Sequence, residues 1–482
     1  MQMIYPSKIL HFLGGQEVDL GNEVSFKKYN PATGELLAEV IRGDSEVAKL
    51  AVVSAEKALL LWSEYSVIAR ANILKKTAEL IGEKKDEIAE IIALECGKSK
   101  KSSIGEVEAA VKCGLFLVEQ TKEFDPEKLV SGVPARELEL VRQSIGVGAL
   151  ITPFNNPMAG IAWKTFPALL CGNSVVVKSH ELTPFIAVIF AKILKEAGLP
   201  DGVFNVVQGL GPEVGSELVE NLKVKFVSFT GSATVGSKIL KATADRLVKV
   251  SIEAGGKNPF IVCEDADLTR AVSSAVSGSF VDAGQRCAAT SRIIIFDKVY
   301  DEFKKKFLEK VSALNVGVAD SDDFGAIITE KKLLEIVSLV KEGVSRGAVL
   351  LFGGHRIEKA SNGYFMEPTV LENVSEDDEL SSREIFGPVV ILYKVKNLDE
   401  AIELANNSEF RLSSAIHTSS TKLAEEFIKK HHTGVVRVNG ATHGSEPHVS
   451  FGGVGLSGNG WREPGLKSLD FYCDWRQISY DN

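Results

Sequence analysis

The spacing of apolar residues divides the chain into one helical region and two regions in which strands and helices alternate. Between residue 46 and about residue 122, apolar residues recur every three or four positions, as in ANILKKTAELIGEKKDEIAEIIALE. From residue 147, short apolar runs such as VGALITPF, SVVVKS and KFVSFTG alternate with amphipathic stretches such as TPFIAVIFAKILKEAG. The runs NPFIVC, SRIIIF and VVILYKV begin a second alternation of the same kind. Strands buried on both faces and separated by helices predict parallel, doubly wound sheets.

Two further segments have the two-residue period of strands. In residues 123–144, Leu138 and Leu140 alternate with Glu137 and Glu139, and Gly132 and Pro134 interrupt the segment, which predicts a pair of strands. The final stretch, LDFYCDWRQISYDN, is expected to form an extended strand. The predicted fold class is therefore α/β, with two doubly wound α/β domains and a small additional β segment.

Composition and charge exclude several functional classes. Hydrophobic residues make up 45% of the 482 residues and charged residues 25%, as in ordinary globular proteins. The net charge of −9 argues against a general nucleic-acid-binding surface, and no apolar run is long enough to predict a membrane helix. The six cysteines are scattered, with neither CxxC nor a His/Cys cluster, so no metal site is predicted. Together with an N-terminus that lacks a signal pattern, they predict a reduced, cytoplasmic protein.

Three residues are candidates for nucleophilic chemistry. Cys287 lies among small residues in DAGQRCAATSR, where a loop or helix N-terminus could hold a thiolate, although a buried structural cysteine is the commoner case. Glu253 follows an apolar run and precedes two glycines, so it could be a general base or a solvated turn residue. Asn155 lies between Pro153 and Pro157, where a restricted amide could donate to an oxyanion or simply form a turn.

A second group of residues has the pattern of a nucleotide site. Lys178 and Glu181 follow the apolar strand in VVVKSHELTP, where they could bind ribose hydroxyls, or where Glu181 could only complement a helix dipole. Gly231 and Ser232 in FTGSATVG lie at a strand-to-helix turn that could approach a pyrophosphate. Each of these signals is weak alone, since neither FTGSATVG nor GLGPEVG is GxGxxG.

The joint pattern resembles the aldehyde dehydrogenase superfamily from about residue 27 to the C-terminus. The resemblance is based on motifs that occur in the same order as in the family: NPATGE, ECGK, ITPFNNP, VVVKSHELTP, FTGSATVG, EAGGKNP, GQRC, GYFMEPTV, EIFGPVV, VRVNG and SFGGVGLSGNG. The offset of 34 residues between Glu253 and Cys287 (287 − 253) also fits the family.

The resemblance implies a role for each candidate. Cys287 matches the nucleophile, Glu253 the general base that activates the hydrolytic water, and Asn155 the oxyanion-hole amide. In the cofactor site, Lys178 and Glu181 match ribose contacts and Ser232, after Gly231, a pyrophosphate contact. Glu384 and Phe386 in EIFGPVV match residues that position the nicotinamide ribose and ring. The implied reaction is oxidation of an aldehyde to a carboxylic acid through a thiohemiacetal and a thioester.

The resemblance also implies domains and an assembly. Residues 1–122 and 145–254 correspond to the NAD-binding domain and residues 255–450 to the catalytic domain. Residues 123–144 and 467–482 correspond to strands with which the family forms homodimers or homotetramers. The physical reason for such an assembly is an open sheet edge that a second subunit can cover.

Two departures from the family pattern concern the oxyanion turn. Phe154 stands where the family usually has Trp, and Asn156 where it has an aromatic residue, so two amides are adjacent. Asn155 is preferred because it follows the Pro–aromatic pair, as in the family. A third departure, Phe410–Leu412 in place of a YGL-like segment, leaves the details of that loop open.

Cofactor and substrate are less determined. A carboxylate at position 181 favours NAD over NADP, because it would repel a 2′-phosphate, yet NADP is possible. The segments GQRCAATSR and NGATHGSEPHVSFGG resemble the subgroup that oxidises semialdehydes of short oxo-acids, including 2-oxoglutarate semialdehyde, and hydroxy-aldehydes stay open. Arg286 could attract an anionic substrate or pair with an acidic neighbour. His443 and His448 could line the substrate entrance or be solvated.

Three other functions are open at this level. A cysteine hydrolase such as a thioesterase or amidase would use the same residue types without redox chemistry. A CoA-acylating dehydrogenase would transfer the acyl group to CoA and would not need Glu253. A non-catalytic relative would have lost Cys287 or Glu253, and both are present.

Overall fold

The computed structural model describes residues 4–20, 24–358 and 362–481, so the predicted domain limits at residues 1 and 482 lie outside the described residues. The helical spacing of residues 46–122 corresponds to four helices, and short strands that the sequence pattern did not predict precede them. The elements are β1 (Lys8–Ile9), β2 (His11–Leu13), β3 (Gln16–Val18), β4 (Ser25–Tyr29), β5 (Leu36–Ile41), α1 (Ser45–Trp62), α2 (Val67–Glu83), α3 (Lys85–Cys96) and α4 (Lys100–Val118).

The first strand–helix alternation forms a mostly parallel sheet. The new elements are β6 (Glu127–Leu129), β7 (Arg136–Ser144), β8 (Val147–Ile151), α5 (Pro157–Leu170), β9 (Ser174–Lys178), α6 (Pro184–Ala197), β10 (Phe204–Val207), α7 (Ser216–Glu220), β11 (Val224–Gly231), α8 (Ala233–Thr243) and β12 (Lys249–Ala254). The strand order in this sheet is β12-β11-β8-β9-β10-β2-β3. β2 joins β10 antiparallel, and the winding reverses between β8 and β11. Before α7, the turn Gly211–Gly215 is π-helical and contains Pro212, which has no amide hydrogen.

The second alternation forms another mostly parallel sheet. The elements are β13 (Asn258–Val262), α9 (Leu268–Phe280), β14 (Thr290–Phe296), α10 (Asp297–Ser312), α11 (Glu330–Ser345), β15 (Val349–Phe352), β16 (Thr369–Glu372), α12 (Glu379–Ser382), β17 (Val389–Val395), α13 (Leu398–Asn406), β18 (Phe410–Arg411), β19 (Ser413–His417), α14 (Thr421–Lys430) and β20 (Val435–Val438). The strand order is β15-β16-β17-β14-β13-β19-β20, with β15 antiparallel to β16. The strands β13, β14 and β17 are mainly apolar and almost completely buried, as the sequence pattern predicted, whereas the edge strands β15 and β20 are partly exposed.

The C-terminal segment contains β21 (Val454–Gly455), α15 (Ser468–Tyr472) and β22 (Cys473–Asp481). β22 pairs antiparallel with β7, which pairs with β6, so the two predicted β segments form one small sheet. The prediction of a strand over the whole stretch from Leu469 is wrong for its first part. Phe471 and Tyr472 are both buried against Phe226, and a helical turn can bury two adjacent rings where a strand would expose one.

The two sheets confirm the α/β prediction and determine where a site can form. Parallel doubly wound sheets bind ligands at the carboxyl ends of their strands, near the point where the winding reverses. At this edge of the first sheet, β9 ends at Lys178, β11 at Gly231 and β12 one residue after Glu253. No helix in the described ranges is long and apolar enough to cross a membrane.

Candidate active site

The Cys287 turn lies directly before β14, a strand of the second sheet. Cys287 follows a short 3₁₀ turn, Val281–Gly284, and precedes β14, so the loop alternative for its position is the one found and a helix N-terminus is not. It is half-buried, whereas the other five cysteines are buried. The amide of Asn258 donates to the carbonyl of Cys287 at 2.8 Å. This contact attaches the turn to the segment EAGGKN, which begins with Glu253.

Burial and charge determine the proton affinity of the thiol. Burial, followed by the carboxyl groups of Glu384 and Glu253, raises the pKa of Cys287 to about 12, although the N–H of Ala288 and the charge of Arg286 act to lower it. Glu253 and Glu384 are therefore close enough to act on the sulfur electrostatically. The thiol stays protonated at neutral pH until a base accepts its proton or an added positive charge lowers its pKa.

Asn155 lies next to the same turn. It is buried, and its side-chain amide donates to the carbonyl of Gln285 at 3.0 Å, two residues before Cys287. An amide nitrogen has two hydrogens, so one is left to donate elsewhere. Asn156, by contrast, directs its side-chain oxygen to Lys98 at 2.8 Å. Of the two adjacent amides, Asn155 is thus the one that faces the Cys287 turn.

Glu253 is a buried carboxyl without ordinary partners. Neither of its side-chain oxygens accepts a hydrogen bond of normal geometry from the residues that the structure describes, although the N–H of Gly453 is near enough to act weakly on its pKa. Burial raises the pKa well above its usual range, Glu463 raises it further, and Lys164 opposes both. A Cβ on Gly452 would collide with the carboxyl group, so the closeness of this loop requires glycine.

Glu384 and Phe386 approach from the second sheet. The N–H of Gly256 donates to Glu384 at 3.0 Å, and burial raises the pKa of this carboxyl to about 7. Phe386 has a φ of 55°, and its ring meets that of Phe154 edge to face, with centroids 5.6 Å apart. Phe386 therefore lies beside the turn that carries Asn155, and Glu384 lies at the segment that follows Glu253.

The nucleotide-binding candidates lie along the first sheet. Lys178 Nζ is 2.7 Å from Glu181 Oε2. Burial works to raise the pKa of Glu181, but the charges of His180 and Lys178 lower it to about 2. Since the pKa of His180 is itself lowered to about 4 by burial, Lys178 is the charged partner at neutral pH. Ser232, directly after Gly231, is the exposed N-cap of α8.

These groups fit a dinucleotide. A carboxylate and an ammonium at the end of β9 are the acceptor and donor that ribose hydroxyls need, and the exposed N-terminus of the eleven-residue helix α8 suits a phosphate. Lys178, Glu181 and Ser232 are the residues that would hold the adenosine half and the pyrophosphate. Glu384 and Phe386 are the residues that would contact the nicotinamide half.

A sequence profile of the aldehyde dehydrogenase family matches residues 19–478. The chain is 36% identical to an alpha-ketoglutarate semialdehyde dehydrogenase of Haloferax volcanii over the whole length of both proteins. It is 34% identical to a D-glyceraldehyde dehydrogenase (NADP⁺) of Picrophilus torridus, with 96% of each chain covered. The solved betaine aldehyde dehydrogenase of Staphylococcus aureus in complex with NAD⁺ superposes with a TM-score of 0.95, at 30% identity, covering 98% of this chain and 94% of that one.

The chain belongs to the aldehyde dehydrogenase family. It therefore oxidises an aldehyde with NAD or NADP, through the thiohemiacetal chemistry on cysteine that is general to the family. The resemblance found in the sequence motifs is confirmed, and it extends over nearly the entire chain.

The structure gives the contacts of Arg286 and of the two histidines, and their role toward substrate stays a prediction. Arg286 Nε donates to Asp282 at 2.6 Å, so Arg286 pairs with an acidic neighbour. His443 is half-buried and lies 3.3 Å from Arg286 through Nδ1. His448 is exposed, with its ring centroid 6.3 Å from that of Phe116.

Two buried lysines near this aldehyde dehydrogenase site were missed in the sequence. Lys164 Nζ lies 2.8 Å from Glu463 Oε2, and the same carboxyl group accepts from Tyr472 and Ser228. Lys257 is buried with no hydrogen-bond partner for Nζ among the described residues, and burial lowers its pKa to about 7. The signal for Lys164 was present, since it is the lone charge in the apolar helix AGIAWKTFPALLCG. Glu463 is 299 residues away, a pairing that no local pattern reveals.

Proposed function

We propose that this protein converts a short aldehyde to the carboxylic acid, with Cys287 as nucleophile, Asn155 as oxyanion donor and Glu253 as the base for hydrolysis. The arrangement of side chains around Cys287 is the main support for this proposal. The half-buried thiol lies in a turn that Asn155 and Asn258 hold by hydrogen bonds to the carbonyls of Gln285 and Cys287. The charges of Glu253 and Glu384 act on that thiol.

The chain's own groups supply each step. The Cys287 thiolate attacks the aldehyde carbonyl, and the free hydrogen of the Asn155 amide, with the backbone N–H of Cys287, binds the oxygen that becomes negative. Such a donor typically stabilises the transition state by about 3 to 4 kcal/mol. When bound, the oxidised cofactor accepts the hydride that leaves the substrate carbon. Glu253 then takes a proton from the water that hydrolyses the thioester, and Lys164 opposes the burial that would keep it neutral.

NAD is the preferred cofactor in this proposal. Glu181 has a lowered pKa and is charged at neutral pH, so it can accept hydrogen bonds from two ribose hydroxyls and repels a 2′-phosphate. Lys178 at 2.7 Å reduces that repulsion, which is why NADP is retained as a second possibility. The similarity to the D-glyceraldehyde dehydrogenase (NADP⁺) of Picrophilus torridus supports this second possibility.

A semialdehyde of a short oxo-acid is the first substrate to test. The support is the identity of 36% to an alpha-ketoglutarate semialdehyde dehydrogenase over full length. A hydroxy-aldehyde is the second candidate, supported by the D-glyceraldehyde dehydrogenase at 34% identity and by the pairing of Arg286 with Asp282, which leaves less positive charge for an anion. Ranking kcat/KM for 2-oxoglutarate semialdehyde, succinic semialdehyde, glyceraldehyde and lactaldehyde, each with NAD and NADP, separates the two.

The proposal includes the predicted oligomer and the domain roles. The small sheet β22-β7-β6 carries partly exposed apolar side chains such as Leu129, Trp475 and Tyr480, which a second copy of the chain would cover. The first sheet would bind the cofactor and the second would carry the nucleophile. A cytoplasmic location stays a prediction from the cysteine pattern.

The decisive experiment replaces the nucleophile. Cys287→Ala should abolish formation of NADH from NAD and aldehyde while NAD still binds, as measured by isothermal titration calorimetry, because the thiol forms the covalent bond and the cofactor contacts lie elsewhere. Cys263→Ala, at a buried cysteine after β13, is the matched control and should keep turnover. Unchanged turnover in Cys287→Ala would refute the assignment.

The products decide between the hydrolytic reaction and the CoA-acylating alternative. With water as acceptor, the carboxylic acid forms at the same rate with and without CoA. An acyl-CoA product would instead show that CoA accepts the acyl group. Release of acid from a thioester or amide in the absence of NAD would favour a cysteine hydrolase.

A further inference from the structure

A cluster of four buried or half-buried charges lies behind the Cys287 turn and is not used in the proposed mechanism. We call it the Asp282 cluster, and its members are Lys98, Glu106, Asp282 and Arg286. Lys98 Nζ is 2.7 Å from Glu106 Oε2 and 3.7 Å from Asp282 Oδ2, and Arg286 Nε is 2.6 Å from Asp282 Oδ2. The side chains of Lys98, Glu106 and Asp282 are 2–5% exposed, whereas that of Arg286 is 25% exposed.

Asp282 is held in this position by the backbone and by its neighbours. It has a φ of 55° in the short turn before Cys287, a left-handed conformation that aspartate tolerates better than most residues. The hydroxyl of Ser102 on α4 donates to it. Burial alone would raise its pKa, but the charges of Lys98 and Arg286 outweigh burial and keep the pKa far below the usual range. Asp282 is therefore an anion at neutral pH.

Within the cluster, Asp282 has its shortest ion pair with Arg286, at 2.6 Å, and a longer one with Lys98, at 3.7 Å. Lys98 has its closest contact with Glu106, whose other oxygen accepts from the backbone N–H groups of Met158 and Ala159 at the start of α5. Arg286 has one carboxylate contact within the described residues, the one to Asp282. His443, 3.3 Å from Arg286, is neutral at pH 7, because burial and the Arg286 charge lower its pKa to about 4.

Arg286 also acts on the sulfur next to it in the chain. The charged groups that act on Cys287 are Glu384 and Glu253, which disfavour the thiolate, and Arg286, which favours it. The backbone N–H of Ala288 favours the thiolate more than Arg286 does, and Arg286 is the charged side chain that adds to this effect. Any anion close to Arg286 reduces its contribution.

We propose that Asp282 is a positioning residue that holds Arg286 beside Cys287 and offsets its charge, so that it determines how strongly the site attracts anionic reactants. The inference rests on the proposed function, in which Cys287 is the nucleophile. It goes further by assigning a specificity-determining task to a residue that touches neither substrate nor cofactor. The charge offered to an anionic aldehyde is then a property of the Asp282–Arg286 pair and not of Arg286 alone.

The test uses two alkylating reagents of similar size, neutral iodoacetamide and anionic iodoacetate. Each reacts with the full-length protein in the absence of cofactor and aldehyde. In each reaction the Cys287 sulfur displaces iodide and forms a thioether, so the ratio of the two rates reports the local charge at the sulfur. Cys287→Ala measures the background from the buried cysteines. Because no turnover is needed, failure of the proposed function and failure of this inference are distinguishable.

Four variants give the expected pattern. D282N should raise the iodoacetate-to-iodoacetamide rate ratio about threefold, and R286Q should lower it about threefold, since a neighbouring charge alters ionic equilibria by such factors or more. R286K, which keeps the charge, should restore the ratio. In the R286Q background, D282N should change the ratio less than it does in the parent, because most of its effect passes through Arg286.

Other results would overturn the proposal. A merely structural role predicts that D282N changes both rates by the same factor, so that the ratio stays that of the parent. An equal change in the ratio with and without Arg286 would show that Asp282 acts directly. If D282N does not fold, the comparison of R286Q with R286K on the more exposed partner still tests the charge, and equal ratios for these two variants would refute it.

Discussion

At the residue scale, the surroundings of Glu253 govern how the site responds to pH. Both carboxyl oxygens are buried without ordinary hydrogen-bond partners in the described part of the chain, so the neutral form is favoured. Burial and Glu463 raise its pKa, and Lys164 limits the rise. The basic form of Glu253 therefore accumulates as the pH rises through a range well above that of an ordinary glutamate.

Thioester hydrolysis should follow this titration. Where hydrolysis limits turnover, the rate should rise with pH through the raised pKa of Glu253. Glu253→Gln should remove that rise and leave a burst of about one NADH per site followed by slow turnover, since the acyl-enzyme still forms. Stopped-flow measurement of NADH absorbance across pH tests both, with Cys287→Ala as a control that shows no burst. A steady rate like that of the parent would contradict the role of Glu253.

The charge of Glu181 should determine cofactor preference. Glu181→Gln removes the repulsion of a 2′-phosphate and frees Lys178 to bind it, so kcat/KM for NADP relative to NAD should rise about tenfold, equivalent to about 1.4 kcal/mol. Glu46, which pairs with Lys49 at the same three-residue separation on α1, offers a matched control in Glu46→Gln. The same ratio in Glu181→Gln and the parent would show that Glu181 does not discriminate between the cofactors.

At the element scale, β22 connects the C-terminus to the rest of the molecule. Its nine residues pair in register with the nine of β7, the Arg142 guanidinium lies 4.2 Å from the Trp475 ring centroid, and Lys249 contacts Asp474. The pairing leaves β22 at one edge of the small sheet, where its other backbone groups are free to meet another strand.

Removal of β22 tests whether this sheet forms the subunit interface. A chain ending at Tyr472 should sediment in analytical ultracentrifugation as a particle with fewer subunits than the full-length protein. The reason is that β7 loses its neighbour and the edge of the sheet is rearranged. A chain ending at Tyr480, which keeps eight of the nine residues of β22, is the matched control. An unchanged mass for a folded chain ending at Tyr472 would place the interface elsewhere.

The observed helices and strands also show which elements the sequence pattern predicts correctly. The apolar strands β9, β13 and β14 are found where β-branched runs predicted them, because a strand buried on both faces is apolar throughout. The strands β1–β5 were not predicted, since they are two to six residues long and their residues are mixed in polarity. The helical turn α15 was taken for a strand because its five residues are too few to show a helical period, and the burial of both adjacent rings is known only from the packing.

At the scale of the whole molecule, the site exists only where the two sheets meet. Glu253 and Asn155 belong to the first sheet and its connections, and Cys287 and Glu384 to the second. The segment near the C-terminus closes the first sheet at this edge, with the amide of Asn459 bonded to both Ile252 and Val250 of β12. Three distant parts of the chain thus share one cleft.

The sequence by itself determined the fold class, the family and the candidates Cys287, Glu253, Asn155, Lys178 and Glu181, because these depend on local periodicity and on motifs of a few residues. Only the tertiary structure decided which of two adjacent amides faces the cysteine turn, since Lys98 is bonded to Asn156 and leaves Asn155 for Gln285. It also decided the pairing of Arg286 with Asp282 and of Lys164 with Glu463. The physical reason is that burial and the distance between charges set their energies, and both depend on how segments far apart in the chain pack together.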